Sequence, residues 1–578
     1  MRKILIATLG AAVLLTTGCN KNFLDENPQS VLVPSFLGTP QGVEAGLTGV
    51  YSGLRNIYGN EQGITMTEAG TDTWTNGIQT NSGLFDYSST DLTPLNSGAV
   101  VNQWAIMYQY INDANGVIQY AASVQGIDPA RVKQVIAEAK LLRAQYYFLL
   151  VQHFGDVPLR LSFTDAPTKD VTRTPLADVY NAIVTDLTDA MNNIADKAAQ
   201  PGRVTRATSL HLLAKVYLTR ATSTAKQGSD YTNAAKYAQE LIDNQSRYGV
   251  GLETDPATVF AEGNENGKEV LFNVQFNADP TFSQTDGSTY AGANVTNYMF
   301  RSRYDNLPNM VRDIPNGRPF ARFCVTHYLE DSYILRSASG TALESGTSLR
   351  TTDSRYSKWF TTVYYVNSPG KNGGSSKAVV GDTAAWYPGR QLSAAKLAQI
   401  AARQPLGYTV IQPSQYTTEY YPTLNKFDSK NRSSIAAFSP RPVIVYRLAE
   451  TYLIAAEAYY YLGSSSQAVN LTNVVRERAA ATGKKAQMDI TSGQLTIDFF
   501  LDERARELAG EQTRWFDLKR TGKLIERVKL YSPPLTTLSN GVYGSNAAIN
   551  IQPFHVLRPI PQTEVDRTSG STTQNPGY

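Results

Sequence analysis

Ala458-Tyr459-Tyr460-Tyr461-Leu462-Gly463 closes one helical stripe and lets a second begin, and this junction decides the fold. Upstream of it, Leu448, Tyr452, Ala455, Tyr459 and Leu462 recur in steps of three and four, which places them on one face of an α-helix. Downstream, Ala468, Leu471 and Val475 repeat that spacing, and Gly483 ends the run. Two amphipathic helices joined by a short glycine break cannot bury their apolar faces alone, so such pairs stack on further pairs. More pairs are therefore expected elsewhere in the chain.

The first 244 residues carry them. Thr39-Pro40 opens a helix with Val43, Leu47, Val50, Leu54 and Ile57 on one face, because threonine caps and proline suits the first turn. Val100, Trp104, Met107, Ile111 and Ile118 make the next stripe, which places Trp104 in the core. Asp128-Pro129 starts a long helix that runs through Leu142 to His153 and stops before Gly155-Asp156-Val157-Pro158. Thr174-Pro175, Leu210 to Ala221 and Tyr231 to Leu241 mark three more. A recurrence every thirty to forty residues predicts paired repeats of the tetratricopeptide kind, and hence a mainly α fold.

Between about 245 and 440 the helical period fades, and Gly, Pro, Ser, Asn and Tyr take over. Val270, Phe272, Val274 and Phe276 alternate as a short strand does, and Lys358 to Val366 reads as another. Gly63 to Ser97 reads as a long loop carrying Asp72, Trp74, Phe85 and Tyr87 among small polar residues. Sugars present a face of C–H groups ringed by hydroxyls, so an aromatic plane beside a carboxylate suits them. On that ground Asp72 and Trp74, with Tyr298, Trp359 and Trp386 from the irregular half, are the candidate ligand-binding residues. For any one of these aromatics, ordinary packing is the competing reading.

At the N-terminus, Arg2 and Lys3 precede an uncharged apolar run from Ile4 to Leu15, followed by Thr16-Thr17-Gly18-Cys19. The run is too short for a membrane span, which takes about 20 residues, and has the form of a secretory signal. Small residues abutting Cys19 resemble the site at which bacterial lipoproteins are cut and acylated. The expectation is a signal peptide over 1–18, lipid on Cys19 and a polar tether over 19–38. Cleavage there leaves Cys324 as the second cysteine, with no partner for a disulfide once Cys19 is acylated. The formal charge of +3 includes Arg2 and Lys3 and falls to about +1 without them, so nucleic acid is not expected as a partner.

Catalysis finds little support. His153, His211, His327 and His555 are scattered, with no H-E-x-x-H, no cysteine pair for a metal and no Gly-x-Ser-x-Gly elbow, so no catalytic residue, metal or cofactor is assigned. In Phe499 to Glu511 acids and arginines alternate at pairing distance, such as Asp502 with Arg506, which makes the acids poor proton donors. An exported glycoside hydrolase, its two carboxylates meeting only in space, and a repeat scaffold that binds only protein stand as alternatives to a nutrient-binding protein.

Several stretches resemble the SusD/RagB family. They are Asn22-Phe23-Leu24-Asp25, Arg143-Ala144-Gln145-Tyr146-Tyr147-Phe148 with Gly155-Asp156-Val157-Pro158-Leu159, Leu212 to Leu218, and Tyr446-Arg447-Leu448-Ala449-Glu450. Asp502-Glu503-Arg504, Arg514 to Arg520, Ile560-Pro561 and Gln574 to Tyr578 complete the set, in order along nearly the whole mature chain. The resemblance implies a single SusD-like lobe over 39–578. Its helical scaffold covers about 39–244 and 441–530, and an irregular, loop-rich, ligand-facing region with short strands covers about 245–440. It further implies a surface lipoprotein of the outer membrane that is not an enzyme. Such a protein binds a nutrient, most often a glycan or oligosaccharide, and delivers it to a SusC-like TonB-dependent transporter.

Overall fold

The helical pairs expected from the sequence are present. In the computed structural model, which describes residues 34–78, 83–166, 168–169, 171–279, 292–403, 408–568 and 570–578, about 47% of the chain is helical. The expected signal segment over 1–18, Cys19 and the expected tether up to residue 33 lie outside the described residues.

The first stack comprises α1 (Pro40–Gly53), α2 (Gly98–Ala121), α3 (Pro129–Phe154), α4 (Leu176–Asn193), α5 (Arg206–Ala221) and α6 (Asp230–Asp243), each packed on its neighbour in sequence. The caps act as expected: the Thr39 side chain accepts the Gly42 N–H at 3.0 Å and Asp128 accepts that of Ala130 at 2.7 Å. From Leu141 to Phe154 every residue of α3 is buried, so this helix is enclosed on all sides rather than amphipathic. Its polar members are paired accordingly. Arg143 makes a bidentate contact with Asp186 at 2.8 Å, and Gln145 bridges the hydroxyls of Tyr58 and Tyr446.

The junction at Leu462-Gly463 separates α7 (Leu448–Tyr461) from α8 (Ser465–Ala479), with Gly463 in the left-handed region at φ +76°. These two helices pack on each other, and α7 also lies against α6. The stack thus continues directly across the whole irregular segment. The helices that follow include α9 (Ile497–Glu507), α10 (Arg514–Arg520) and α11 (Leu524–Tyr531).

Short strands stitch the irregular segment to itself and to the helices. Among them are β1 (Trp74–Asn76), β2 (Val270–Val274), β3 (Phe323–Val325), β4 (Val363–Tyr365), β5 (Thr383–Trp386), β6 (Thr409–Val410) and β7 (Val443–Arg447). β2 pairs antiparallel with β7, which runs straight into α7, and β1 pairs antiparallel with β3. One apolar cluster joins both halves, with Leu47, Trp104, Val274, Phe300, Tyr446 and Trp515 among its members.

Two local expectations are corrected. Gly63 to Ser97 is not one loop: it holds most of a helix at Glu61–Glu68, strand β1 and a turn of helix at Gly83–Asp86. Threonines hid the first of these, because the Thr65 and Thr67 hydroxyls bond back onto the helix's own carbonyls. Lys358 to Val366 is not one strand either. Asp353 caps a helix at Ser354–Trp359 by accepting the Arg355 N–H at 3.0 Å, so strand begins only at Phe360.

The charges of α9 face inward. Glu507 accepts from Arg355 at 2.7 Å, from Arg447 at 2.6 Å and from Arg478, while Glu503 accepts from Arg355, Arg476 and Arg506 at 2.6 to 2.8 Å. Burial opposes ionisation of both carboxyls, yet the arginines hold them well below the ordinary carboxylate range. The expected pair of Asp502 with Arg506 does not form. Arg506 turns to the buried Glu503, and Asp502 meets Arg527 at 2.6 Å.

Candidate functional site

β4, β5 and β6 form a three-stranded sheet in the irregular half, antiparallel between β4 and β5 and parallel between β5 and β6. Alternation along the strands sorts its two faces. Tyr364 pairs with Ala385 on the inner face; both are buried, and the Tyr364 ring stacks on Tyr304 at 5.4 Å. Val363 pairs with Trp386, which pairs in turn with Val410, and these three half-buried residues make the outer face. Tyr408, just before β6, meets the Trp386 ring edge-on at 6.5 Å. Alternation places Tyr365 on the same side as Val363, where it is 58% exposed, and a register shift at Ala384 sets Thr383 opposite it. Val379 and Val380, in the turn that leads into β5, are also exposed.

The result is a partly open face with three aromatic rings, Tyr365, Trp386 and Tyr408, seated on a rigid inner layer. Flat apolar rings with polar tips are the side chains that hold an amphipathic ring-shaped ligand.

Of the residues singled out from the sequence, Trp386 alone lies on this face. Asp72 is fully buried, and its carboxylate is taken by Arg514 at 2.6 and 2.5 Å and by Arg527 at 2.8 Å. Burial raises its affinity for a proton, but the two arginines outweigh that and keep it below the ordinary carboxylate range. Trp74 is 1% exposed, with its ring 4.7 Å from Phe300. Tyr298 is buried, and its hydroxyl donates to the carbonyls of Ile435 and Ala437. Trp359 is 1% exposed and lies beneath the Lys426 ammonium, 3.7 Å from the ring centre. The expected surface site of Asp72 and Trp74 with some of Tyr298, Trp359 and Trp386 is therefore corrected in its membership. Asp72, Trp74, Tyr298 and Trp359 are core: burying large aromatics removes apolar area from water, and the Asp72 carboxylate is buried only with Arg514 and Arg527 pairing it.

Tyr365 and Tyr408 escaped the sequence reading. The signal was the alternation at Val363-Tyr364-Tyr365, which marks a strand but does not say which face is covered. Among the described residues, no group of three or more His, Cys, Asp or Glu could hold a metal ion. Burial holds His153 well below its ordinary value and His555 down to about 4, and lowers His211 and His327.

The family model described as the SusD family matches residues 268–578, more than half of the chain. The chain belongs to the SusD family. A second model, described as starch-binding associating with outer membrane, matches residues 22–218. SusD-like protein P2 of Formosa agariphila is 27% identical over 581 residues, covering 98% of each chain. Among solved structures, a laminarin-binding SusD-like protein superposes with a TM-score of 0.65 at 24% identity, over 93% of this chain and 100% of its own. Surface glycan-binding protein A of Bacteroides thetaiotaomicron, in complex with laminarihexaose, gives 0.64 at 20% identity, over 93% and 99%. These likenesses establish the mainly α SusD fold.

Proposed function

We propose that this SusD-family protein captures a glycan on the outer face of the β4–β5–β6 sheet and passes it to a SusC-like TonB-dependent transporter, while lipid on Cys19 holds it at the outer membrane. The observation that carries the binding step is the row of Tyr365, Trp386 and Tyr408 on one partly open sheet face. Support comes from the family, whose members bind rather than catalyse, and from two similar structures that bind laminarin or hold laminarihexaose. The family description that names outer-membrane association supports the location. Among the described residues no helix is long and apolar enough to cross a membrane, so movement of the ligand falls to another protein. The helical scaffold, about 39–244 and 441–530, gives the rigid body, and the region of about 245–440 gives the ligand face.

Titration of the chain with laminarin oligosaccharides, and with starch oligosaccharides for comparison, tests the reading. Saturable binding that is weakened by about tenfold in Trp386→Ala supports it. Binding unaffected by that change would place the glycan elsewhere, and release of new reducing ends would point to the hydrolase alternative.

A further inference from the structure

A cavity of about 660 Å³ opens in the helical half, bounded by the ends of α3 and α5, the start of α4, helix α10 and the C-terminal stretch 573–576. Its volume is that of a small-molecule site, and it shares no residue with the aromatic sheet face. Val151, Leu176, Phe516 and Leu557 give it apolar walls, and Lys519 and Arg173 also line it.

The charges there do not balance. Lys519 has three N–H donors and spends one on the Gln152 carbonyl. Among the described residues no carboxylate forms an ion pair with it, and the charge nearest in effect is another cation, Arg558. Arg558 is fully buried, its guanidinium donates to the Met66 carbonyl at 3.3 Å and interacts with the Tyr87 hydroxyl, and it packs 4.2 Å over the Trp515 ring that also faces Lys519. Arg173 spends its donors on neutral oxygens of Asp156, Phe154, Thr573 and Asn575. Arg520 differs, being neutralised by Glu457 and Asp517. The acid of the wall, Asp156, is exposed and caps α4 through the Leu176 N–H. A half-buried ammonium with two donors unspent beside an apolar cavity is a place for an anion.

We propose that this cavity binds an organic monocarboxylate with an apolar body, such as a medium-chain fatty acid. Its carboxylate lies on the Lys519 ammonium and its hydrocarbon lies against Val151, Leu176, Phe516 and Leu557. The amine holds its proton loosely: burial without a counter-ion, aided by Arg558, brings it down to about 7. His153, which faces it from α3, stays neutral over the same range, and Arg558, Arg520 and Arg173 stay charged.

Isothermal titration of octanoate into the full chain carrying Cys19→Ala, recovered without detergent, tests this. One octanoate should bind per chain, with affinity falling as pH rises from 6 to 8 and Lys519 loses its proton, and octan-1-ol should not compete. Lys519→Met should weaken binding by about tenfold or more, while Lys519→Arg should keep it and abolish the pH dependence. No saturable binding, equal binding of octan-1-ol, or a Lys519→Met protein that binds as tightly as its parent would overturn the proposal. Trp386→Ala should leave octanoate binding unchanged, which separates this site from the glycan reading.

Discussion

Asp72 and Arg514 stand 442 positions apart in sequence and meet inside the protein through two hydrogen bonds of 2.6 and 2.5 Å. Arg527, from the next helix, closes on the same carboxylate at 2.8 Å. One acid near the start of the fold thus pins α10 and α11 near its end. Removing it leaves the buried Arg514 guanidinium without its carboxylate, while Arg527 keeps Asp498 and Asp502. Asp72→Ala should therefore cost about 3–5 kcal/mol of stability, measured by urea denaturation. Glycan affinity per folded molecule should not change, and a loss of affinity without loss of stability would return Asp72 to the ligand site.

On the sheet face, Trp386→Ala should weaken glycan binding by about tenfold, since stacking of this kind contributes about 0.5–1.5 kcal/mol beyond area burial. Trp359→Ala is the informative contrast. Its ring is buried under Lys426, so the change should lower the denaturation midpoint and spare the affinity of the folded fraction.

Glu68 carries a pH signature. It is 1% exposed, accepts the Thr513 N–H at 3.1 Å, and burial pushes its carboxyl up to about 8 from an ordinary 4.5, with Thr513 and Arg514 pulling the other way. The native state therefore holds a proton that the unfolded chain releases above pH 4.5. This contribution is present below that pH and is lost progressively as pH rises toward 8. Glu68→Gln should remove the slope, so its stability relative to the parent should increase between pH 5 and 8. A constant difference across that range would contradict the assignment.

Gly463 tests the helical junction. At φ +76° with open space around its Cα, it offers room for a methyl group but an unfavourable backbone for one. Gly463→Ala should cost about 1–2 kcal/mol through the backbone alone, read as a lowered denaturation midpoint with unchanged ligand affinity.

Anchoring is tested at Cys19. Cys19→Ala should abolish acylation and move the protein from the membrane to the soluble fraction. Mild extraction of the tagged parent should bring down a transporter-sized β-barrel protein. Membrane retention of the alanine protein, or the parent recovered alone in several detergents, would remove the respective part of the proposal.

The sequence by itself determined the long helices of the stack and their pairing, though not the short helices at Glu61–Glu68 and Ser354–Trp359. Apolar residues at steps of three and four fix which face of a helix must be covered, and Thr39, Asp128 and Gly463 fix where helices begin and end, because these signals are local. What lies opposite a side chain is not local. Trp74, Tyr298 and Trp359 have the composition of a ligand site and the placement of a core, and Trp386 differs from them only through its strand partners. Asp72 reads as a lone acid in a loop until Arg514 and Arg527 arrive from the far end of the chain. Lys519 lies within a helix dense in paired charges, yet the fold seats it beside a cavity where, among the described residues, no carboxylate forms an ion pair with it. Burial and charge pairing are sums over neighbours distant in sequence, so the tertiary structure alone decided which aromatics and which charges were left free to bind.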